Sequence, residues 1–437
     1  MPTNEGPEAV GERRGLWAAL KETTFRSLRH RNYRRYFLGQ IISFTGSWMQ
    51  SAALMWLLFD RTGDPRWPSW ILVAQVGPTI LLGAFGGGLA DRYPKRQLIF
   101  ITQATFLVHA TVLCLLIAFD ILSPWLILGL MAISGVVQAV DLPARLAYVP
   151  DLIPKEDLIN AVGLNSLLFN SARAFGPACA GLLFLLAEAV LPYFPSGSNP
   201  VTIGAVACFA LNAISFVAVL FALWGITVSG SSQHGKKAGG GSVWDGFRYL
   251  AQHPTMGGLV LLTLSFCIFG WPLLTILPAY TRLILNLGEQ TYSLLVAAVG
   301  AGALIAALTT ATFGTTARRG KFLVVGASAA SIGLLGLSLS MHPEFAMICC
   351  AAAGFGLILY LSTGQSIIQL AVPNEMRGRV MALWAITLSA SAPLGHLLAG
   401  QLVTLVGVGP VLKGMAAGVG LVAIVLGWLL SLHRVGK

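Results

Sequence analysis

Charged residues are scarce in this 437-residue sequence. Asp, Glu, Lys and Arg make up only 10% of it, and apolar and aromatic residues make up 56%, whereas soluble domains average about 25% charged residues. The mean hydropathy is +0.75, which leaves too little polar surface to keep globular domains in solution. The composition therefore excludes a soluble enzyme and a soluble DNA-binding module.

Clusters of reactive or metal-binding side chains are also missing. The seven histidines are scattered, with no second acid or nucleophile beside them, so an integral-membrane transferase would lack its reactive group. The cysteines lie in apolar runs, where they act as small apolar residues, and they show no metal-ligand spacing. We therefore expect no metal, no cofactor and no disulfide. The six cysteines are Cys114, Cys179, Cys208, Cys267, Cys349 and Cys350.

The N-terminal segment lacks the uninterrupted apolar core and small-residue cleavage site of a signal peptide. We expect the first apolar run to act as the membrane-insertion signal instead. Residues 13 to 35 are basic and fit two interpretations, a helix lying on anionic lipid headgroups or a solvated tail.

Long apolar runs are what the sequence has in abundance. A helix needs about 20 apolar residues to cross the hydrocarbon core of a bilayer, and twelve such runs follow one another. The predicted fold class is an all-α integral membrane protein with twelve transmembrane helices. The runs lie at residues 36 to 58, 69 to 90, 98 to 118, 125 to 143, 160 to 187, 201 to 226, 255 to 280, 290 to 312, 322 to 341, 345 to 368, 380 to 405 and 411 to 432.

The basic residues fall almost entirely on one side of these runs. Arg61, Arg66, Arg282 and Lys413 fall on the other side, and Arg173 lies within the fifth run. Because Lys and Arg in short loops stay in the cytoplasm, we place both termini there. The formal net charge of +11 then reflects membrane topology, and the expected partner is the lipid bilayer, not nucleic acid.

A glycine-rich segment divides the twelve runs into six and six. Residues 230 to 242 have the composition of a flexible linker, and residues 243 to 250 read as a short amphipathic helix. The predicted divisions are a basic cytoplasmic segment (1–35), the first half (36–226), a cytoplasmic linker with its helix (227–254), the second half (255–432) and a cytoplasmic tail (433–437).

The two halves show weak internal repetition. A shift of 219 residues aligns Gly176 with Gly395 and Gly181 with Gly400. Two pseudo-symmetric six-helix halves are the economical interpretation, and convergent glycines and arginines in loops are the alternative. In the loops after the second and eighth runs, a shift of 226 aligns Gly88, Arg92 and Lys95 with Gly314, Arg318 and Lys321.

The loop after the second run carries the strongest local motif. Residues 87 to 96 read Gly-Gly-Leu-Ala-Asp-Arg-Tyr-Pro-Lys-Arg, which resembles the loop signature of the major facilitator superfamily. The resemblance implies a conformational latch, with Pro94 where glycine is more usual. Ala317 stands in the second half where Asp91 stands in the first, which predicts a weaker second latch. The latch role is assigned to Gly88, Asp91, Arg92, Lys95 and Arg96, and Asp141 and Arg145, four residues apart, are candidates to join it.

The stretch from residue 141 to residue 181 is more discriminating. It contains Asp-Leu-Pro-Ala-Arg at 141–145, Val-Pro-Asp-Leu at 149–152 and Asn-Ser-Ala-Arg-Ala-Phe-Gly-Pro at 170–177. With Gly-Ser-Trp-Met-Gln at 46–50, it is similar to the superfamily branch that contains the enterobactin exporter and other transmembrane secretion effectors. This resemblance covers most of the chain and implies efflux from the cytoplasm by proton antiport.

Gly176, Pro177 and Gly181 also resemble the fifth-span motif of antiporters in the superfamily, although the usual final pair of glycines is reduced to Ala180 and Gly181. Glycine and proline remove side-chain bulk and one backbone hydrogen bond, which allows a bend that seals against a facing helix. An ordinary packing glycine beside a tolerated proline is the alternative.

Arg173 is the charged residue placed deepest in a span, and such residues are functional candidates because burying them is costly. Ser166, Asn170 and Arg173 share one helical face at i, i+4 and i+7, with Asn165 at its border. This stripe predicts a cavity lining. A structural arginine that caps carbonyls or pairs with another span is the alternative.

Other polar stripes lie in the first and tenth spans, and Gln138 lies in the fourth. Amides, hydroxyls and aromatic rings together suit an amphipathic organic molecule, uncharged or anionic. Hydrogen bonds between helices without a ligand are the alternative. The remaining substrate-cavity candidates are Gln40, Ser43, Ser47, Trp48, Gln50, Gln138, Tyr360 and Gln365.

Proton coupling is less well marked. His109 and His396 are the titratable groups nearest the interior of their spans, and histidine is the side chain most easily switched near neutral pH. A structural role is the favoured alternative for each. No acid stands in the middle of the first span, so the proton carrier is not assigned.

These features predict a secondary active transporter that exports an amphipathic small organic molecule, such as a siderophore, drug or metabolite, by alternating access. We expect it in the cytoplasmic membrane of a bacterium, as a monomer driven by the proton gradient. An importer or facilitator would have the same spans without needing the fifth-span motif, and that alternative stays open.

Overall fold

A computed structural model describes residues 25–195, 198–228, 243–313 and 319–435. Its fourteen α-helices within those residues are α1 (Arg31–Thr62), α2 (Arg66–Arg92), α3 (Lys95–Ala118), α4 (Pro124–Leu152), α5 (Leu158–Val190), α6 (Pro200–Trp224), α7 (Val243–Gln252), α8 (Pro254–Gly270), α9 (Leu273–Leu283), α10 (Glu289–Phe313), α11 (Arg319–Leu339), α12 (Pro343–Ala371), α13 (Asn374–Val406) and α14 (Val408–Val435). Residues 13 to 24, residues 230 to 242, and Gly314, Ala317 and Arg318 of the second loop motif lie outside the described residues.

Twelve helical segments are long and apolar enough to cross a membrane, which confirms the predicted fold class. Helices α1 to α6 form the first six spans, and α10 to α14 form the last five. The seventh span consists of α8 and α9, which are interrupted at Trp271 and Pro272. Proline lacks the backbone N–H that would continue the helix, so the break follows from the sequence.

The amphipathic helix of the linker is α7. Its Trp244 and Phe247 are exposed and stack with ring centroids 5.6 Å apart. Leu250, which helical spacing places on the same side as these two rings, is buried, because α7 leads directly into α8 there. Asp245 forms an ion pair with Arg379 of α13 at 3.4 Å, which ties the linker helix to the second half.

Equivalent glycines bring equivalent helices together in the two halves. A Cβ atom added at Gly176 of α5 would lie 2.6 Å from Trp48 Cβ and 2.8 Å from the Met49 backbone nitrogen of α1. A Cβ atom added at Gly395 of α13 would lie 2.5 Å from the Ile268 carbonyl oxygen of α8. The glycines aligned by the 219-residue shift therefore make the same kind of helix contact, as repeated halves require.

The halves meet at one end of the bundle. We call the end at which α1 begins the basic end and the other the opposite end. Near the opposite end, a Cβ atom at Gly181 of α5 would lie 3.0 Å from Ser293 Cβ of α10, and one at Gly400 of α13 would lie 3.0 Å from Ser69 Cβ of α2. The two contacts are pseudo-symmetric and join the halves tightly.

A separation between the halves is seen toward the basic end. Positions at Gly87 and Gly88 of α2, Gly163 of α5 and Gly378 of α13 have no neighbour within 4 Å of an added Cβ atom. These helices are the same ones that touch across the opposite end. The described conformation is therefore closed at the opposite end and open at the basic end.

The packing at Gly176 makes a prediction with a matched control. Gly176→Ala should lower the melting temperature of the purified protein, because overpacking against a fixed backbone costs about 1–3 kcal/mol. Gly163→Ala lies on the same helix in open space and should leave the melting temperature unchanged or raise it, since alanine is favoured in helices by about 1 kcal/mol. Equal melting temperatures for the two variants would contradict the close contact between α1 and α5.

Candidate functional site

Arg173 of α5 lies between the two halves, surrounded by aromatic rings. Its side chain is only 9% exposed. The guanidinium carbon lies 5.2 Å from the ring centroid of Trp48, 5.3 Å from that of Phe169 and 6.0 Å from that of Trp271. Trp48 belongs to the first half and Trp271 to the break in the seventh span. The cation therefore contacts ring faces from both halves, which attract it electrostatically.

The hydrogen-bonding capacity of Arg173 is not used up by the protein. Its Nε atom is buried and has no hydrogen-bond partner among the described residues. No carboxylate in the described part of the chain lies within ion-pair distance of it. Because buried polar groups are normally hydrogen-bonded, an unpaired guanidinium nitrogen here indicates a place for an acceptor group of a ligand.

Arg173 marks the inner limit of the cleft. A Cβ atom added at Gly300 of α10 would lie 2.5 Å from the Arg173 carbonyl oxygen, so α5 and α10 touch at this level. One to three turns nearer the basic end, Val162, Ser166 and Phe169 are exposed. The cleft between the halves thus runs from the basic end to Arg173 and stops there.

The neighbours predicted for Arg173 differ in exposure. Ser166 is exposed and Asn165 is half-buried, so both can face the cleft. Asn170 is buried and donates a hydrogen bond of 2.9 Å to the Ser166 carbonyl oxygen. The Asn170 amide is therefore hydrogen-bonded within its own helix in this conformation.

The polar stripe of α1 faces mainly into the first half. Gln40, Ser43 and Gln50 are buried, and Asn212 of α6 donates a 2.6 Å hydrogen bond to Gln50 Oε1. Ser47 and Trp48 are half-buried and lie nearer the cleft. The stripe borders a cavity of about 100 Å³ inside the first half, whose polar lining includes Ser43, Ser47, Gln75, His109, Gln138 and Asn212.

The candidates of the tenth span, α12, separate in the structure. Gln365 is exposed. Tyr360, in contrast, is fully buried inside the second half, where it stacks on Phe266 with centroids 3.9 Å apart and its hydroxyl lies 3.2 Å from Thr263 Oγ1. The Tyr360 backbone also packs closely on α11, since a Cβ atom added at Gly326 would lie 2.8 Å from the Tyr360 backbone nitrogen.

Comparison with known proteins decides the family. Residues 22–436 match the family model described as transmembrane secretion effector. The chain belongs to the transmembrane secretion effector family. Together with the twelve spans, this confirms a multi-pass transporter of the bacterial cell membrane with the predicted major facilitator fold, and not an enzyme.

Individual relatives agree with this assignment. The transporter is 26% identical over 422 residues to the enterobactin exporter EntS of Shigella boydii serotype 18, which covers 92% of each chain. It is 29% identical over 155 residues to the staphyloferrin A transporter of Staphylococcus aureus, an alignment that spans 35% of this chain and 39% of that relative. A crystal structure of a mutant of the nucleoside transporter NupG has a TM-score of 0.69 at 10% identity, covering 91% of this chain and 99% of that one.

The latch loop of the transporter is tied to its own half. Lys95 pairs with Asp151 at 2.7 Å, and Arg96 donates hydrogen bonds to the Leu223 and Trp224 carbonyl oxygens at 2.9 and 3.1 Å. Asp91 and Arg92 are exposed, and Gly88 faces open space. Asp91 makes no ion pair with any described residue. Within the described parts of the chain, no ion pair or hydrogen bond links the motif to the other half in this conformation.

The histidines named for proton coupling are both buried and hydrogen-bonded to uncharged groups. His109 Nε2 lies 3.0 Å from the Leu130 carbonyl oxygen, and His396 Nδ1 lies 3.1 Å from Thr275 Oγ1. Neither pairs with an acid in the part of the chain that the structure describes. The geometry of both is that of packing residues of their spans.

One polar cluster was not anticipated from the sequence. Asp157, fully buried between α4 and α5, contacts Arg26 Nε at 2.7 Å, Arg29 at 2.9 Å and His30 Nε2 at 2.6 Å. Ser27 reinforces the cluster through hydrogen bonds to Asn160 Oδ1. This clasp fastens the basic segment before α1 to the start of α5. The only sequence signal was a cluster of arginines and a distant acid.

The hydrogen bond from His30 lowers the pKa of the Asp157 carboxyl, and Arg26 and Arg29 lower it further against the opposing effect of burial. A carboxylate with a lowered folded-state pKa stabilises the protein above its unfolded pKa of about 3.9. That stabilisation is lost as the pH falls through the lower folded-state value.

Asp157→Asn should therefore lower the melting temperature at neutral pH, and the difference from the wild-type protein should shrink as the pH falls below about 4. Thermal unfolding in detergent at several pH values measures this. Asp120→Asn removes an exposed carboxylate paired with Arg61 and should have little effect. A constant difference across this pH range would show that charge does not hold the clasp.

Proposed function

We propose that this transporter exports an amphipathic organic molecule carrying an anionic or strong hydrogen-bond acceptor group, which binds beside Arg173. The observation that carries the proposal is the unpaired, buried guanidinium held among Trp48, Phe169 and Trp271 at the closed end of the cleft. A guanidinium recognises carboxylate or phosphate groups through planar paired hydrogen bonds. The surrounding rings provide apolar area for the rest of the molecule.

The orientation of the bundle supports outward transport. The positive-inside rule assigns the basic end to the cytoplasm, so the cleft of the described conformation opens toward the cytoplasm. A substrate taken up there reaches Arg173 without crossing the closed opposite end. The family description as secretion effector and the exporter among the relatives favour the same direction.

The transport cycle follows from the contacts between the halves. Release on the far side requires the contacts at Gly181 with Ser293 and at Gly400 with Ser69 to open while the basic end closes. Rocking of two rigid halves about a central site achieves this exchange. On closure, the exposed loop with Asp91 would approach the second half, where its latch role would begin.

Proton antiport is the energy source that we propose for this cycle. The fifth-span Gly176 packs directly on α1, and Pro177 follows inside α5. This close contact fits the antiporter motif that these residues resemble. An importer or facilitator would use the same Arg173 site, and direction and proton dependence distinguish it from the exporter.

The direct test is a panel of labelled amphipathic acids and neutral compounds measured in cells with and without the transporter. We expect overexpression to lower the accumulation of at least one anionic compound, and a protonophore to restore it. Faster uptake that is indifferent to the protonophore would instead establish a facilitator.

Arg173 variants test the site itself. Arg173→Ala should weaken binding of the exported compound by at least about tenfold, or 1.4 kcal/mol, and Arg173→Lys should restore little if paired hydrogen bonding matters. Arg61→Ala, which removes an arginine paired with Asp120 near the opposite end, is the control and should bind normally. Equilibrium binding to purified protein is the measurement. Normal binding by Arg173→Ala at wild-type melting temperature would remove Arg173 from the site.

A further inference from the structure

Asp141 of α4 is a fully buried carboxylate that the proposed binding site does not use. Asp141 lies inside a membrane-spanning helix, and its side chain has no exposed surface. Ionisable groups at such positions are expensive and usually functional. The structure therefore raises the question of what this carboxylate does.

The two oxygens of Asp141 have different partners. Oδ1 accepts hydrogen bonds from Thr102 Oγ1 at 2.5 Å and from Gln103 Nε2 at 3.0 Å, both on α3. Oδ2 lies 2.5 Å from Arg145 Nε but accepts no hydrogen bond, since the two atoms lack the geometry of one. Oδ2 is thus held by charge alone and has a lone pair available for a proton.

Among the described residues, Asp141 forms an ion pair with one positive charge, that of Arg145. Arg145 is the charged neighbour on its own helix, and Tyr36 of α1 interacts electrostatically with both members of the pair. Helix α3 contributes the neutral Thr102 and Gln103. Helix α2 packs against α4 at Gly86, where an added Cβ atom would overlap the backbone of Ala139, two residues before Asp141.

Arg145 connects Asp141 to the polar cavity of the first half. Its guanidinium also donates to Gln40 Oε1 and lies 5.0 Å from the centroid of the Phe44 ring. It lines the cavity of about 100 Å³, which is polar and large enough to hold water. His109 is the other titratable group on the cavity wall. Water in this cavity could bring a proton to the pair without passing the substrate site.

We propose that Asp141 is the proton-binding group of the transport cycle, with Arg145 as its counter-ion. In the described conformation, open at the basic end, the carboxylate is ionised and paired with Arg145. In the alternate conformation Oδ2 takes one proton and forms one O–H bond. No other bond breaks, Oδ1 keeps its hydrogen bonds from Thr102 and Gln103, and the ion pair to Arg145 is lost. Arg145 is then retained by Gln40 and Phe44, so protonation changes the packing between α1 and α4. This inference rests on the proposed proton-driven export.

The infrared spectrum of the purified transporter tests proton binding without any substrate. A buried carboxylic acid has a carbonyl band separate from those of carboxylates, and a pH titration should show this band growing in the wild-type protein. Asp141→Asn should remove the Asp141 component of that change, because asparagine can still accept from Thr102 and Gln103 but cannot titrate. The other buried carboxyls, Asp157 and Glu289, should keep their own components. Glu289→Gln is the matched control, since Glu289 is another largely buried acid of a span, near the opposite end, and should retain the band.

Transport in proteoliposomes tests coupling, with the compound found in the panel as probe. Asp141→Asn should lower accumulation driven by a pH gradient by about tenfold, within the usual range of coupling between sites, while exchange of the compound at equal pH persists. Asp141→Glu should recover part of the coupling, which excludes a misfolded variant as the cause of the loss.

The possible failures are distinguishable. If the wild-type protein exports the compound without any response to the pH gradient, the proposed antiport is wrong. If the wild-type protein is coupled and Asp141→Asn is equally coupled, Asp141 is not the proton-binding group. The same conclusion follows if the titrating carboxyl band of Asp141→Asn is as large as that of the wild-type protein. If the band or the coupling is lost in Glu289→Gln instead, Glu289, near the opposite end, is the proton-binding group and Asp141 is not.

Discussion

The interior of a bilayer provides no water to hydrate a charged side chain, so the protein itself must stabilise the buried Arg173. The rest of this transporter depends on how it does so. Most charged groups in the described spans are paired or lie near helix ends. Arg173 is held by three ring faces from both halves and keeps one nitrogen unpaired. The three ring faces stabilise the buried cation in the folded protein, and the unpaired nitrogen remains able to donate a hydrogen bond to a ligand. This site also gives each half a direct contact with whatever occupies the centre.

Small residues determine how the halves move around this centre. Gly176 and Gly395 fix helices within each half, and Gly181 and Gly400 bring the halves together at the opposite end. Contacts between small residues of this kind are short and can break and reform without displacing large side chains. An ion pair between Arg282 of α9 and Asp60 of α1, 3.9 Å apart, also joins the two halves. The polar clasp around Asp157 and the ion pair of Lys95 with Asp151 lie within the first half at the basic end. They preserve the shape of that half while it rotates.

Much of this arrangement could be predicted from the sequence, because membrane thickness and the positive-inside rule act on the chain locally. Twelve spans, the break at the linker and the depth of Arg173 each follow from one stretch of residues. The orientation of polar side chains could not be predicted in the same way. A polar stripe on α1 fits a central cleft and an internal cavity equally well, and the structure places Ser43 and Gln50 on the wall of the cavity. The burial of Tyr360 could not be predicted for the same reason, since its neighbours Phe266 and Gly326 come from other helices. The Asp157 clasp joins residues far apart in sequence, so no local sequence pattern predicts it.

Exchange between two conformations can be measured from distances between spin labels at both ends of the bundle. In a background without the six native cysteines, one label pair would report the basic end from the exposed Gln97 and Glu375, and another the opposite end from Phe119 and Leu405. We expect two populations whose balance shifts with pH or the exported compound, with the basic-end distance shortening as the opposite-end distance lengthens. A single distance at each end that does not respond, or two distances that lengthen together, would contradict alternating access about Arg173.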